Sequence, residues 1–316
     1  MKPVLFASIK PLELAENLKA IWDAFDGEKE FVKTDGMRRS PEIRSGKYDL
    51  MVIDEYPSET PGKCIMICHG IAGGKTYGLD QPNPYFRKGM EGMITWLVTS
   101  GTGAVPLLAK CSNLPESKVL GLGFPRTDSF LTARKGDGGT VLAKKRAYLY
   151  VPTFRTREDP PYPRIDWGAI DSMLTDDELL VVKTHRVQGN LLLQVCKHII
   201  QVSSREPSTP YLIDCDAVIT DYSSILFDGY VLGKPGVLFE KNQGYTESRG
   251  MYLKYPEEYC SRYARTEEQL VKLLREADGL GKTERSLISR MADGCDGHAA
   301  ERVCELIRKT QMEDIP

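Results

Sequence analysis

The stretch from Asp216 to Asp228 constrains this chain more than any other. Ala217-Val218-Ile219 is a short apolar run of β-formers, Thr220-Asp221-Tyr222-Ser223-Ser224 is polar, and residues 225–232 are apolar again over a helical length. A buried strand, a tight polar turn and a helix in that order make half of a βαβ unit, the building block of parallel sheets covered by helices. The turn opens onto a helix N-terminus, where free N–H groups and the positive end of the macrodipole favour an anion and serine hydroxyls add donors. On this reading Thr220, Ser223 and Ser224 form a phosphate cradle that lacks the lysine of a P-loop. The competing reading is ordinary helix capping, which Ser, Thr and Asp perform at many N-termini. The segment alone does not separate the two.

The same alternation runs along the whole chain and predicts α/β layers with largely parallel sheets. In the first half, strands are expected at residues 4–9, 50–53, 64–68, 94–99 and 118–122, with a helix over 12–25. A polar, glycine-bearing stretch at 134–140 interrupts the pattern and reads as a linker. Strands resume at 146–151, 179–183, 211–214, 217–219 and 236–240, with helices at 167–173, 191–200, 267–277, 284–291 and 299–310. A chain of 316 residues suits two domains. The expected division is 1–140 and 141–316, with a cleft between the two as a natural place for a ligand.

Composition removes several classes of function. Apolar residues at 41% and charged residues at 27% are those of a soluble globular protein, and a net charge of −2 gives nucleic-acid binding no bulk electrostatic support. No apolar run approaches the ~20 residues that span a bilayer. Residues 1–6 read as a first strand, not as a signal peptide. The cysteines at 64, 68, 111, 196, 215, 260, 295 and 304 are scattered, with no C-x-x-C pair. That spacing argues against a metal site and for a reduced, cytoplasmic protein.

Two of the four histidines stand where chemistry would need them. His69 follows the strand at 64–68 and opens a glycine-rich loop through Lys75; His185 follows the strand at 179–183 in Lys183-Thr184-His185-Arg186. Ligands of open α/β sheets bind beyond the carboxyl ends of the strands, and imidazole is the usual general base near neutral pH. His198, inside the helix expected at 191–200, and His298 read as structural. Gly74-Lys75-Thr76 imitates the end of a Walker A motif. The motif's first glycine is replaced by His69, however, and the following prolines cannot begin its long helix, so an ATPase is rejected. Lys75 keeps the option of meeting an anion. Arg126 in Gly123-Phe124-Pro125-Arg126-Thr127-Asp128 and Arg155 in Tyr150-Val151-Pro152-Thr153-Phe154-Arg155 also lie just past strands, where a planar guanidinium suits phosphate oxygens. Each arginine alone reads first as a surface or interdomain ion pair, and Lys75 as part of a surface loop; their repetition at strand ends is what raises the phosphate reading.

Taken in order, His69-Gly70, Gly-x-Pro-Arg-x-Asp at 123–128, Tyr-x-Pro-Thr-Phe-Arg at 150–155, Lys183-x-His185 and Thr220-Asp221-Tyr222-Ser223-Ser224 resemble the CDP-glycerol glycerophosphotransferases of teichoic-acid synthesis. Gly233-Lys234-Pro235-Gly236-Val237-Leu238-Phe239 and Arg249-Gly250-Met251-Tyr252 extend the resemblance, which runs from about His69 to the C-terminus. Ile71-Ala72 stands where the family usually has Thr-Pro. The resemblance implies two Rossmann-like domains in a glycosyltransferase-B-like arrangement with the active site in the interdomain cleft. It implies transfer of glycerol phosphate, or a related polyol phosphate, from CDP-glycerol to a hydroxyl of a teichoic-acid, capsular or lipid-linked acceptor, with release of CMP. No cofactor and no protein-bound metal are implied. His69 and His185 take the catalytic positions, and nucleotide and phosphate contacts fall on Thr220–Ser224.

On that scheme Arg155 lies near the diphosphate, Lys183 or Arg186 assists His185, and Lys75, Arg126 and Arg249 are further substrate contacts. Asp221 orients a histidine, binds ribose or only caps. A lipid-linked acceptor would add peripheral association with the inner face of the cell membrane. Two rivals stay open: a glycosyltransferase using a nucleotide-sugar, and a nucleotide-binding subunit whose histidines do no chemistry.

Overall fold

The computed structural model describes residues 1–34, 41–55, 57, 59–68, 70, 92–155, 159, 161–186, 188–189, 191, 195–241, 251 and 253–313. The described elements open with β1 (Val4–Ser8), α1 (Glu16–Ala24), β2 (Lys29–Lys33), β3 (Leu50–Ile53), β4 (Lys63–Ile67), β5 (Trp96–Val98), α2 (Val105–Ser112) and β6 (Val119–Leu120). They continue with β7 (Arg146–Tyr150), α3 (Trp167–Met173), β8 (Glu178–Val182), β9 (Ile199–Gln201), α4 (Thr209–Asp214), β10 (Ala217–Thr220) and α5 (Ile225–Val231). The last are β11 (Gly236–Phe239), β12 (Tyr263–Ala264), α6 (Glu267–Glu276), α7 (Lys282–Met291) and α8 (Ala299–Met312). None of the described helices is long and apolar enough to cross a membrane.

The chain forms two compact units, Met1–Leu131 with Ser289–Pro316, and Thr132–Ile288. This corrects the expected division at residue 140, because the C-terminal helix belongs to the first unit. Asp128 caps it, accepting from the N–H groups of Ala299 (3.0 Å) and Ala300 (2.8 Å), and Lys63 donates to the Thr310 carbonyl near its other end (2.7 Å). Contacts of that sequence separation leave no local signature.

The first unit holds a six-stranded parallel sheet in the order β2-β1-β3-β4-β5-β6. Its central strands are buried on both faces, as continuous apolar runs under helices require. Strand β2 was not expected: Lys29-Glu30-Phe31-Val32-Lys33 is half-exposed, with the charges that mark a sheet edge.

The second unit holds six parallel strands in the order β12-β11-β10-β7-β8-β9. The chain builds outward from β7 through β8 to β9, returns to the other side of β7, and builds outward again through β10, β11 and β12. That is the doubly wound order 3-2-1-4-5-6. One face buries Tyr148, Tyr150, Leu180, Val182, Ala217, Ile219, Val237 and Phe239 under Ile170 of α3 and Leu270, Val271 and Leu274 of α6. Each such aliphatic side chain contributes about 1.5–3 kcal/mol when fully buried. Both covering helices start on side-chain caps. Asp166 accepts from Ala169 N (2.9 Å) and Thr266 from Gln269 N (3.2 Å).

Three expectations fail here. Residues 211–214 lie in α4, not a strand, because Pro210 stands in the first turn and presets helical φ. The helix expected at 191–200 is contradicted at its end, where Ile199-Ile200-Gln201 pairs with β8; residues 192–194 lie outside the described residues. The apolar run that suggested a helix ends in β-branched residues that suit a strand. The glycine-bearing stretch at 134–140 is fastened instead of linking. Asp214 accepts from the N–H groups of Gly136 (2.7 Å), Gly138 (3.1 Å) and Thr140 (2.7 Å) and from the Thr140 hydroxyl (2.8 Å). A Cβ at Gly138 would lie 2.1 Å from the Pro210 carbonyl oxygen, so only glycine fits that wrap. Burial pushes the Asp214 carboxyl up, but the Thr140 and glycine hydrogen bonds outweigh it and its pKa falls below the ordinary value.

Candidate functional site

In a doubly wound sheet the strands leave a crevice beyond their carboxyl ends, where the order reverses. In the second unit that point lies between β7 and β10, paired from Ala217–Tyr148 to Ile219–Tyr150. The chain leaves β7 through Val151-Pro152-Thr153-Phe154-Arg155 and leaves β10 through Asp221-Tyr222-Ser223-Ser224. The two segments are joined by hydrogen bonds. The Thr220 hydroxyl donates to the Val151 carbonyl (2.7 Å), and Asp221 Oδ1 accepts from Thr153 N (2.8 Å) and Tyr222 N (2.6 Å). Arg155 Nη2 meets Asp221 Oδ2 at 2.6 Å, with only 6% and 3% of the two side chains exposed. A buried pair of this kind costs about 3–5 kcal/mol to break by removing one partner, because the other charge is stranded.

Aromatic rings enclose the pair. The Arg155 guanidinium lies over the Tyr162 ring at 5.1 Å and the Tyr222 ring at 5.9 Å, and Tyr255 donates its hydroxyl to the Asp221 carbonyl at 3.0 Å. Burial pushes the Tyr162 phenol up to about 12. The Tyr162 hydroxyl and the Thr153 hydroxyl, both buried, have no hydrogen-bond partner among the described residues.

The neighbouring strand end carries the histidine. Lys183 is 4% exposed and Thr184 fully enclosed, whereas His185 and Arg186 reach solvent. The turn is closed by Gln188 N donating to the His185 carbonyl (2.9 Å) and by the Thr184 hydroxyl donating to the Gly189 carbonyl. The His185 imidazole rests beside the Phe154 ring, centroids 5.0 Å apart and planes tilted by 36°. β7 and β8 are neighbours, and Phe154 and His185 meet beyond their carboxyl ends.

On the other side of β7, Ser224 is the residue before α5 and Ser223 is half-buried. Neither hydroxyl is hydrogen-bonded among the described residues, and Ser224 makes no capping bond. The capping alternative for the two serines is therefore not what the structure shows. Ser223 N instead donates to the Thr220 hydroxyl (3.3 Å), so Thr220 closes the turn and does not face outward.

The structure thus brings together Arg155, Lys183, His185, Arg186, Thr220, Asp221, Ser223 and Ser224 on the carboxyl edge of one sheet. Their roles divide: Arg155 and Asp221 are committed to each other, while His185, Ser223 and Ser224 present groups to the outside. Arg126 lies in the first unit, its guanidinium 4.6 Å from the centre of the Phe124 ring, and its motif partner Asp128 is the cap of α8. His69, Lys75 and Arg249 lie outside the described residues. His198 is not within a helix: it leads into β9, with Nε2 2.9 Å from Asp176 and its backbone N–H donating to Asp171 (2.6 Å). The structural role expected for it stands on that geometry. Thr153, Phe154, Tyr162, Gln188 and Tyr255 were missed. The first two lay inside the motif quoted for Arg155; the others carry no local signal.

The family profile described as CDP-glycerol:poly(glycerophosphate) glycerophosphotransferase matches residues 44–309. The teichoic acid poly(ribitol-phosphate) polymerase of Bacillus spizizenii is 24% identical across 98% of this chain and 57% of its own length. The teichoic acid glycerol-phosphate transferase of Staphylococcus aureus is 23% identical across 68% of this chain and 60% of its length. The chain therefore spans about three-fifths of the length of these curated relatives. The solved structure of the wall teichoic acid polymerase TagF superposes with a TM-score of 0.76 at 18% identity, covering 99% of this chain and 90% of that one. A TagF variant soaked with CDPG gives 0.72 at 17% identity, over 98% and 89%. At these identities the superposition shows a shared fold, two parallel α/β sheets of the glycosyltransferase-B-like kind. With most of its length matched by the profile, the chain belongs to the CDP-glycerol:poly(glycerophosphate) glycerophosphotransferase family.

Proposed function

We propose that this chain transfers a polyol phosphate, glycerol phosphate or a relative, from a CDP-alcohol to a hydroxyl of a teichoic-acid or capsular glycan acceptor, releasing CMP. The observation that carries the reading is a convergence. The family match includes Thr220–Ser224, and those same residues occupy the reversal point of a doubly wound sheet, with two serine hydroxyls unbonded among the described residues. The relatives named for glycerol-phosphate and ribitol-phosphate transfer, and the TagF variant soaked with CDPG, support the donor class.

In this scheme the acceptor oxygen attacks the phosphorus that bears the polyol. The new P–O bond forms as the bond to the bridging oxygen of the diphosphate breaks, and CMP leaves with that electron pair. The acceptor proton passes to His69, a role assigned from the family resemblance. His185 hydrogen-bonds the departing phosphate oxygen, while Ser223, Ser224 and the first N–H groups of α5 hold the diphosphate. Phosphoryl transfer depends on positioning and charge stabilisation, which fixed donors supply. A lipid-linked acceptor would bring the protein to the inner face of the cell membrane.

The test is incubation with CDP-glycerol, CDP-ribitol and a panel of UDP- and GDP-sugars, with a teichoic-acid primer as acceptor. CMP release and a polyol-phosphate mass increment on the primer are expected from a CDP-alcohol. His69→Ala should abolish both while CDP-glycerol binding by calorimetry survives. UDP or GDP release with a sugar increment would replace the reading by glycosyl transfer, and binding of nucleotide with no turnover by a binding subunit.

A further inference from the structure

Three loops leave the carboxyl edge of the second sheet, after β8, β7 and β10, and one chain of hydrogen bonds runs through all of them. Asp221 Oδ2 accepts from Arg155 Nη2 (2.6 Å) and Asp221 Oδ1 from Thr153 N (2.8 Å). Arg155 N donates to Gln188 Oε1 (3.1 Å), and Gln188 N donates to the carbonyl of His185 (2.9 Å). Arg155 Nη1 also returns to the Thr153 carbonyl (3.1 Å), fixing the guanidinium from two sides. With 6% of its side chain exposed, Arg155 offers a diphosphate almost no surface, and Asp221 with 3% offers a ribose less. An arginine and an aspartate past adjacent strands look like ligand contacts in the sequence; here their charges face each other.

We infer that Asp221, Arg155 and Gln188 are positioning residues: a brace that sets the His185 turn against the Ser223–Ser224 turn and acts on the donor only through them. The chemical consequence rests on the reaction proposed above; the brace does not. Its physical basis is that the backbone carbonyl of the exposed His185 is held by Gln188 N (2.9 Å), beside the ring contact with Phe154. Gln188 supplies that hold from its backbone side and passes it through its amide to Arg155. The buried ion pair then anchors Arg155 to the same loop that carries the serines. A misplacement of about 1 Å at a reacting group costs on the order of 100-fold in rate, so the brace should govern turnover and not affinity.

The experiment uses the full chain with Gln188→Leu, Arg155→Met, Asp221→Leu and the Arg155→Met/Asp221→Leu double variant. Melting temperatures form a double-mutant cycle, hydrogen exchange is read at residues 183–186 and 220–224, and kcat and KM are measured with CDP-glycerol. Each single ion-pair variant should melt lower than wild type and the double variant should recover most of the loss, because no charge is then stranded. Gln188→Leu, at a half-exposed site, should melt as wild type yet exchange faster at 183–186. It should lose about 10- to 100-fold in kcat with KM within about threefold. The brace is overturned if the ion-pair cycle shows no coupling, or if Gln188→Leu leaves exchange and kcat unchanged. It is equally overturned if Arg155→Met weakens CDP-glycerol binding tenfold or more without loss of melting temperature, since Arg155 would then be a direct ligand. Should the wild type release no CMP from any CDP-alcohol, the proposed reaction fails by itself, and melting and exchange still decide the brace.

Discussion

The two edges of the second sheet are built from the same residue types and finished in opposite ways. At the amino edge three carboxylates, Glu178, Asp214 and Asp216, are each tied to backbone or side-chain donors. Glu178 accepts from Arg275 Nε (3.0 Å) and Nη2 (2.6 Å), from the Tyr148 hydroxyl (2.9 Å) and from Thr175 N (3.0 Å). Asp214 takes four donors from 136–140, and Asp216 Oδ2 accepts from Ala147 N (2.7 Å). At the carboxyl edge the hydroxyls of Thr153, Tyr162, Ser223 and Ser224 find no partner among the described residues, and His185 stands exposed. Of these only the Thr153 and Tyr162 hydroxyls are buried, and a buried polar group left unbonded costs about 1–3 kcal/mol; Ser223 is half-buried and Ser224 exposed, open to whatever occupies the crevice. The amino edge closes most of its polar groups on one another, although Arg262 Nη1 and Glu284 Oε2 beside β12 are also buried and unbonded among the described residues. The carboxyl edge leaves such groups open where the topology leaves a crevice.

If that contrast is right, damage to the two edges should separate stability from turnover. The largest effect belongs to His185→Ala. Removing one stabilising donor from a transition state typically costs about 100- to 1000-fold in turnover, and a loss of that size is expected in CMP release. The melting temperature should hardly move, because His185 is exposed at the end of β8 and outside the buried core. An assay that found near wild-type turnover, or a thermal scan that found a large stability loss, would erase the distinction between the edges.

Glu178→Gln is the opposite case and should show a smaller, pH-dependent effect. Hydrogen bonds from Arg275 lower the Glu178 carboxyl against the push of burial, from the ordinary 4.5 to about 2. A folded pKa below the unfolded one means that the contribution is fully present above about pH 4.5 and is lost as pH falls towards 2. The variant should therefore be less stable than wild type at neutral pH by about 2–3 kcal/mol, with the gap closing in acid. Denaturant melts at pH 7 and at pH 2.5 read this directly, while CMP release at neutral pH stays at the wild-type rate. A constant gap across that range would assign the loss to packing instead of charge.

The contrast also explains which parts of the molecule were legible in the sequence. Local pattern places β3, β10 and α3 almost to the residue, because an apolar run with a cap or a polar turn at its end is a local signal. The serine turn was visible for the same reason. The Arg155–Asp221 pair was not, since neither residue's local motif names its partner and a sequence separation of 66 hides that they meet. The terminal helix was placed correctly at 299–310, but not its membership of the first unit: its cap, Asp128, lies 171 residues upstream of Ala299. Strand β9 and helix α4 were mistaken for each other's kind because short apolar runs fit either period. Gln188 and Tyr162 carry no pattern at all; only the fold gives them a neighbour.

The smallest effect tests what the amino edge owes to ion pairs as opposed to capped backbone. Lys135 Nζ lies 2.5 Å from Asp216 Oδ2, but 29% and 36% of the two side chains are exposed, and Lys135 also donates to the Lys145 carbonyl (2.6 Å). Partly exposed pairs contribute about 0–1 kcal/mol and are screened by salt. Lys135→Ala should therefore cost less than about 1 kcal/mol, and less still in high salt, because Asp216 keeps its bond from Ala147 N. If it cost as much as Glu178→Gln, the edge would be held by charge pairs and not by carboxylates that satisfy buried N–H groups. The carboxyl edge, which is braced by the buried Arg155–Asp221 pair, would then differ from it in degree only.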